Sequence, residues 1–103
     1  MIEETTVDVD GVRTFLRRVP GEGIPTVFVH GNPTSSGDWI PFLERVAGPA
    51  FAPDIPGWGR SEHPEPGRFD GTMHGLARFV DRFLDTVGID EYRLVAHDWA
   101  ASP

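Results

Sequence analysis

The stretch that most constrains the fold is Leu94–Ala101, which reads Leu-Val-Ala-His-Asp-Trp-Ala-Ala. Its apolar start predicts a short buried strand, Tyr92–Ala96, and Asp98 then stands two positions from a small residue on either side. This small-x-Asp-x-small spacing is that of a nucleophile elbow, a tight turn that lifts a reactive side chain above a sheet. Backbone N–H groups at the start of a following helix favour an ionised carboxylate there. The local residues alone also fit an aspartate that merely caps a helix.

Composition excludes several classes of function. The chain has 103 residues, enough for one domain, and its net charge of −7 argues against nucleic acid or anionic membrane partners. It has no cysteine, and no group of His, Asp and Glu has metal-ligand spacing, so we expect neither a thiol nucleophile nor a metal or other cofactor. No apolar run approaches the roughly 18 residues of a membrane span. The acidic N-terminus does not resemble a signal peptide, so a cytoplasmic location is expected.

The first half of the chain predicts strands. Thr5–Val9 and Val12–Val19 are rich in β-formers and flank Asp10-Gly11, a strong hairpin signal, so we expect an antiparallel hairpin at a sheet edge. Thr26–Val29 is a continuous apolar run typical of a central parallel strand buried on both faces. Ala50–Pro53 predicts a further short strand.

Two stretches predict helices between these strands. In Asp38–Ala47, apolar residues recur at helical spacing, and Ser36 or Asp38 is the expected N-cap. Thr72–Val87 shows the i, i+3, i+4, i+7 pattern throughout, and Gly88 is placed to end that helix. Alternating strands and helices predict an α/β fold with a mostly parallel sheet.

Three segments, taken together, carry a resemblance. They are His30-Gly31-Asn32-Pro33-Thr34-Ser35-Ser36, Pro53-Asp54-Ile55-Pro56-Gly57-Trp58-Gly59-Arg60-Ser61 and Val95-Ala96-His97-Asp98-Trp99. In this order and spacing they resemble the α/β-hydrolase superfamily, and more narrowly its haloalkane dehalogenase and epoxide hydrolase branch. One departure is Ala100, where that branch usually has glycine.

The resemblance implies the fold and the extent of the domain. It identifies residues 1–103 as the N-terminal half of an α/β-hydrolase fold, with a mostly parallel sheet and an antiparallel N-terminal hairpin. In this branch the lid, the catalytic acid and the catalytic histidine follow the elbow. We therefore expect a partial core domain truncated just after the elbow, inactive by itself and with the Tyr92–Ala96 strand left uncovered.

The resemblance also implies a mechanism and a site. Asp98 would attack a saturated carbon of a small apolar organic substrate, and water would then hydrolyse the resulting ester. The backbone N–H groups of Asn32 and Trp99 would form the oxyanion hole. The side chains of the same two residues would hold the departing halide, as a dehalogenase requires.

Alternatives remain open for most of these residues. Asn32 is also a common loop residue, and a lone tryptophan such as Trp99 more often packs in a core. At the level of the protein, the alternatives are an epoxide hydrolase that uses the same aspartate and a non-catalytic remnant of the fold. Asn32 favours the dehalogenase, because the epoxide branch more often has an apolar residue there. The remaining polar candidates are interpreted as structural or surface residues: His30, His97, Ser61, His63 and His74.

Overall fold

The computed structural model describes residues 2–31, 35–64 and 72–96. The described elements are β1 (Glu3–Val9), β2 (Val12–Val19), β3 (Thr26–Val29), a 3₁₀ turn (Ser36–Trp39), α1 (Ile40–Leu43), β4 (Ala50–Pro53), α2 (Met73–Val87) and β5 (Arg93–Ala96). Within this part of the chain, five strands form one mixed sheet in the order β1-β2-β4-β3-β5. The predicted α/β fold is confirmed.

The N-terminal hairpin forms the antiparallel edge of the sheet. Asp10 and Gly11 have φ angles of 50° and 83°, the left-handed pair that a tight two-residue hairpin turn requires. β1 begins at Glu3, two residues before the predicted start, because Glu3 lies opposite Arg18 and pairs with its guanidinium at 3.3 Å. β2 then pairs antiparallel with β4, which joins the hairpin to the parallel strands.

β3 lies inside the sheet and pairs parallel with both β4 and β5, as predicted. Alternate side chains of a strand point to opposite faces of its sheet. Val27 and Val29 accordingly belong to a buried cluster with the apolar face of α2, while Phe28 packs with Trp39 and Leu43 on the other side. Both faces of β3 are therefore covered.

α2 follows its sequence pattern closely. Thr72 caps its start, where the hydroxyl accepts a hydrogen bond from Gly75 N at 3.2 Å. Gly88 ends it in the left-handed conformation, with φ of 76°, which costs glycine little. The buried residues of its apolar face are Gly75, Leu76, Phe79, Phe83 and Leu84.

The helix predicted over Asp38–Ala47 is wrong in extent and in its cap. The chain instead forms the 3₁₀ turn and then a single turn of α-helix, and Ser35 rather than Ser36 or Asp38 is the N-cap. The Ser36 hydroxyl does not cap the turn, because it accepts a hydrogen bond from Arg17 Nη1 instead. The Ser36 N–H donates to Asp54, which ties the turn to the end of β4. The expected apolar face also breaks down, since Phe42 is 56% exposed.

β5 carries apolar side chains that the described part of the chain does not cover. Leu94 is 54% exposed and Val95 is 38% exposed. Consecutive strand residues face opposite sides of a sheet, so both faces of β5 show apolar surface.

In the described residues, no helix combines the length and apolarity that a membrane crossing needs.

Candidate active site

The carboxyl ends of the parallel strands define the candidate site. Val29, the last residue of β3, lies opposite Ala96, the last residue of β5. Adjacent strands are roughly 4.8 Å apart, so the segments that follow β3 and β5 leave the sheet from neighbouring points at one edge. Open α/β sheets bind ligands at this edge.

Three predicted site residues belong to those departing segments. Asn32 follows β3 by three positions, and Asp98 and Trp99 follow β5 by two and three. All three lie outside the described residues, as does His97. Their roles therefore remain predictions, and the described structure contributes the frame from which both segments start.

His30 connects two loops at this edge. Its ring is fully buried, with Nδ1 2.8 Å from the Gly31 carbonyl oxygen and Nε2 2.9 Å from the Ile55 amide nitrogen. The imidazole thus joins the chain leaving β3 to the chain leaving β4. This agrees with the interpretation of His30 as a structural residue rather than a general base.

Burial lowers the pKa of His30 below its ordinary value, because the interior disfavours the charged ring. The hydrogen bond to the Gly31 carbonyl and the charges of Asp54 and Asp38 oppose this effect without overcoming it. At neutral pH the buried ring is therefore uncharged.

The lowered pKa predicts a loss of stability in mild acid. Below about pH 6.5 the unfolded chain binds a proton at His30 that the native protein does not, so the free energy of unfolding falls as the pH is lowered towards the native pKa. The slope from this one proton approaches about 1.4 kcal/mol per pH unit at most. Urea unfolding between pH 7 and pH 5 measures it, and His30→Gln should show a shallower slope. An unchanged slope in His30→Gln would assign the acid loss to other groups.

Asp54 organises the loop that follows β4. Its carboxylate is buried and accepts hydrogen bonds from Ser36 N at 2.6 Å and from Arg60 N at 2.8 Å. Its backbone carbonyl accepts from the Ser61 hydroxyl at 2.6 Å, and that hydroxyl in turn accepts from Phe15 N at 2.9 Å. One aspartate therefore connects β2, the 3₁₀ turn and the segment 55–61 that contains Gly57 and Gly59, here called the glycine-rich loop.

Arg17 extends this network towards the surface. Its charged side chain is buried, and its Nη1 donates to the Ser36 hydroxyl at 2.7 Å. Its Nη2 lies 3.4 Å from the Glu4 carboxylate, which also pairs with Arg60 at 3.2 Å. The Arg17 guanidinium thus places a positive charge beside Ser36, whose backbone N–H donates to Asp54.

The glycine-rich loop passes very close to the Asp54 carboxylate. Gly59 has φ of 53°, and a Cβ built there would overlap the Asp54 side chain. Ser61 serves as a hydrogen-bonding loop residue, as predicted, and His63 and His74 are exposed, also as predicted.

The Asp54–Ser36–Arg17 network was missed by sequence reasoning. The motif that contains Asp54 was recognised, but its aspartate received no role. Its signal is an aspartate directly after a buried strand with two glycines three and five positions on. Arg17 gives no signal, because a charged residue in an edge hairpin ordinarily faces water.

Across residues 2–31, 35–64 and 72–96, no three His, Cys, Asp or Glu side chains are arranged to hold a metal ion.

Comparison with known proteins agrees with this architecture. A haloalkane dehalogenase from Mesorhizobium japonicum is 41% identical over 85 residues, which are 80% of this chain and 26% of that protein. An epoxide hydrolase 2 from Siraitia grosvenorii is 34% identical over 97% of this chain and 32% of its own length. The chain thus spans about a quarter to a third of the length of these curated relatives.

Solved structures show the same backbone. The crystal structure of a haloalkane dehalogenase from Agrobacterium tumefaciens superimposes with a TM-score of 0.83 at 31% identity, covering 97% of this chain and 34% of that one. Residues 25–102 match the family described as alpha/beta hydrolase fold, a range that runs from just before β3 to beyond Asp98. This chain therefore belongs to the alpha/beta hydrolase fold family.

Proposed function

We propose that this chain is the N-terminal part of a hydrolase that cleaves carbon–halogen bonds with Asp98 as its nucleophile. The observation that carries the proposal is the parallel register of β3 and β5, with Val29 opposite Ala96. It starts the Asn32 segment and the Asp98–Trp99 segment side by side at one sheet edge. Similarity to haloalkane dehalogenases from three bacteria supports the same activity.

The proposed reaction has two steps. In the first, an Asp98 carboxylate oxygen forms a bond to the substrate carbon while the carbon–halogen bond breaks, and the halide leaves with the bonding electrons. In the second, water adds to the ester carbonyl and gives a proton to a base. The tetrahedral oxyanion then collapses, and the bond from the carbonyl carbon to the alkoxide oxygen breaks. The alkoxide takes a proton to become the alcohol, and Asp98 is restored as a carboxylate.

In the proposal, these 103 residues supply only part of this chemistry. Asp98 is the nucleophile, and the backbone N–H groups of Asn32 and Trp99 stabilise the oxyanion of the second step. The base that activates water lies after the elbow, as the resemblance implies. The 103-residue chain alone is therefore expected to form at most one ester per molecule.

Epoxide hydrolysis is the second candidate, because relatives with either activity match nearly the whole chain. The epoxide hydrolase 2 from Siraitia grosvenorii is 34% identical over 97% of this chain, and the haloalkane dehalogenase from Bradyrhizobium diazoefficiens is 35% identical over 98% of it. An epoxide ring opens without releasing a halide, so such an enzyme needs no halide site. A halide site formed by Asn32 and Trp99 therefore separates the two candidates.

Halide binding tests this difference in the full-length protein. Iodide bound beside Asp98 should quench the fluorescence of Trp99 saturably, because the anion contacts its indole. Asn32→Ala removes one of two charge-assisted donors, worth roughly 1.5–3 kcal/mol, and should weaken binding on the order of tenfold or more. Unsaturable quenching that is the same in Asn32→Ala would favour the epoxide hydrolase.

The other two tryptophans provide the matched controls. Trp39 is buried against Phe28 on the face of the sheet opposite α2, with ring centroids 5.1 Å apart, and Trp58 is half-buried in the glycine-rich loop. Trp39→Phe and Trp58→Phe should each keep the saturable component. Its loss in Trp58→Phe alone would move the halide site away from Asp98.

A further inference from the structure

The two hydrogen bonds of His30 determine its tautomer. A carbonyl oxygen can only accept, so the 2.8 Å contact with Gly31 O requires a proton on Nδ1. A backbone amide can only donate, so the 2.9 Å contact with Ile55 N requires a bare Nε2. The geometry thus assigns a neutral imidazole protonated at Nδ1. In an imidazolium, Nε2 would also carry a proton, and this N–H would face the N–H of Ile55, so two donors would meet with no acceptor between them.

We propose that His30 is a positioning residue for the hydrolytic step, because it fixes the peptide that links Gly31 to Asn32. This inference rests on the proposed function, which assigns the N–H of that peptide to the oxyanion hole. His30 itself touches neither the substrate nor the nucleophile. It acts through its hydrogen bond to the Gly31 carbonyl, and its own position is fixed by the hydrogen bond from Ile55 N in the chain that leaves β4.

The covalent geometry of the peptide bond supplies the link. A peptide unit is planar, and in the trans form its C=O and its N–H point in opposite directions. A hydrogen bond that fixes the carbonyl of Gly31 therefore also restrains the N–H of the next residue. The second bond, from Ile55 N to His30 Nε2, keeps the ring from rotating. Oxyanion donors are effective because their direction is set before the charge develops.

The surroundings of His30 keep this arrangement in place. The ring is fully buried, and the charged groups that act on it are Asp54, at the end of β4, and Asp38, in the 3₁₀ turn. Asp54 is itself held by the amides of Ser36 and Arg60. His30 thus lies beside the buried hydrogen bonds that hold Asp54 at the end of β4.

Two substitutions separate the two contacts. His30→Asn places an amide N–H where Nδ1 stands, so it can keep the bond to Gly31 and lose the one to Ile55. His30→Gln places an amide oxygen where Nε2 stands, so it can keep the bond to Ile55 and lose the one to Gly31. Neither side chain titrates. The exposed histidines provide matched controls, His63→Gln and His74→Gln.

Rapid-quench mass spectrometry of the full-length protein with 1-bromobutane separates ester formation from ester hydrolysis. In His30→Gln we expect hydrolysis to slow by about 10- to 100-fold, since small misplacements of catalytic groups can cost about 10²-fold, and the butyl ester at Asp98 should accumulate. Ester formation should stay within about threefold of wild type, because no oxyanion forms in that step and the Asn32 side chain proposed to hold the halide is joined to the restrained peptide only through rotatable bonds. His30→Asn should restore hydrolysis to within about fivefold. The two control variants should match wild type in both steps.

Three results would overturn the proposal. The first is wild-type hydrolysis in His30→Gln, the second an equal loss of both steps, and the third an equal loss in His30→Asn and His30→Gln. Absence of the ester in wild type as well would instead reject the proposed function, so the two failures are distinguishable.

A measurement on the unaltered protein does not depend on the folding of any variant. Nitrogen-15 NMR of the His30 ring at neutral pH should show a protonated Nδ1 and a bare Nε2. The opposite tautomer or an imidazolium would contradict the proposal directly.

Discussion

Replacement of Asp98 by asparagine is expected to lower kcat of the full-length protein by about 10⁴- to 10⁶-fold. The amide has nearly the same size and shape as the carboxylate, so the turn should survive. It is a poor nucleophile, however, and cannot form the ester through which the proposed reaction passes. Steady-state release of halide from 1-bromobutane measures the loss.

Two further variants make this result interpretable. Asp98→Ala removes the side chain altogether and cannot regain activity through deamidation of an asparagine. Asp90→Asn makes the same chemical change at an exposed aspartate in the turn before β5 and should leave turnover unchanged. Turnover that survives in Asp98→Ala would reject Asp98 as the nucleophile and favour a non-catalytic role for the elbow.

Gly59→Ala is expected to lower the free energy of unfolding by about 2–5 kcal/mol. Two costs combine at this position. The left-handed backbone, with φ of 53°, costs a residue with a Cβ roughly 1–2 kcal/mol. The new methyl group would also overlap the Asp54 carboxylate and lie 2.9 Å from Ser35 Cβ, and such overpacking typically costs about 1–3 kcal/mol.

Gly57→Ala is the matched control because it lies in the same loop. Its φ of 88° is also left-handed, but a Cβ there would meet no heavy atom of the described chain within 4 Å. It should therefore cost only the backbone strain, roughly 1–2 kcal/mol. Urea unfolding of both variants measures the difference. Equal losses would mean that the close approach to Asp54 contributes nothing to the stability of this edge of the sheet.

The elements that sequence reasoning predicted well are those whose signals are local. The hairpin follows from Asp10-Gly11, which has the conformation its turn type demands, and β3 follows from a continuous apolar run buried on both faces. α2 follows from the recurrence of apolar residues at helical spacing and from the glycine at position 88. In these elements local preference and tertiary packing agree.

The predictions were wrong or missing where contacts between residues distant in sequence determine the local structure. The helix expected from Asp38 is replaced by a 3₁₀ turn because Ser36 N is bound to Asp54, 18 positions away. The burial of Arg17 depends on Ser36 and Glu4, neither of which is close to it in sequence. Such pairings cannot be read from spacing along one chain.

The candidate site divides in the same way. The parallel sheet was predicted from the alternation of strands and helices and is confirmed by the parallel pairs of β3, whose carboxyl ends define the candidate edge. The two backbone contacts of His30 were not predicted, because a histidine beside a turn gives no indication of which loop its second nitrogen meets. Asn32, Asp98 and Trp99 lie outside the described residues, so their roles rest on the motifs and on the strand ends that precede them.

A single turnover in water enriched in oxygen-18, with the full-length protein in excess over 1-bromobutane, tests the role of Asp98 most directly. If Asp98 is the nucleophile, the alcohol takes its oxygen from the carboxylate and is released with ordinary oxygen. The oxygen-18 then appears in the peptide that contains Asp98, because water attacks the ester carbonyl. Oxygen-18 in the alcohol of the first turnover, with an unlabelled Asp98 peptide, would show direct attack of water on the substrate and would contradict the account.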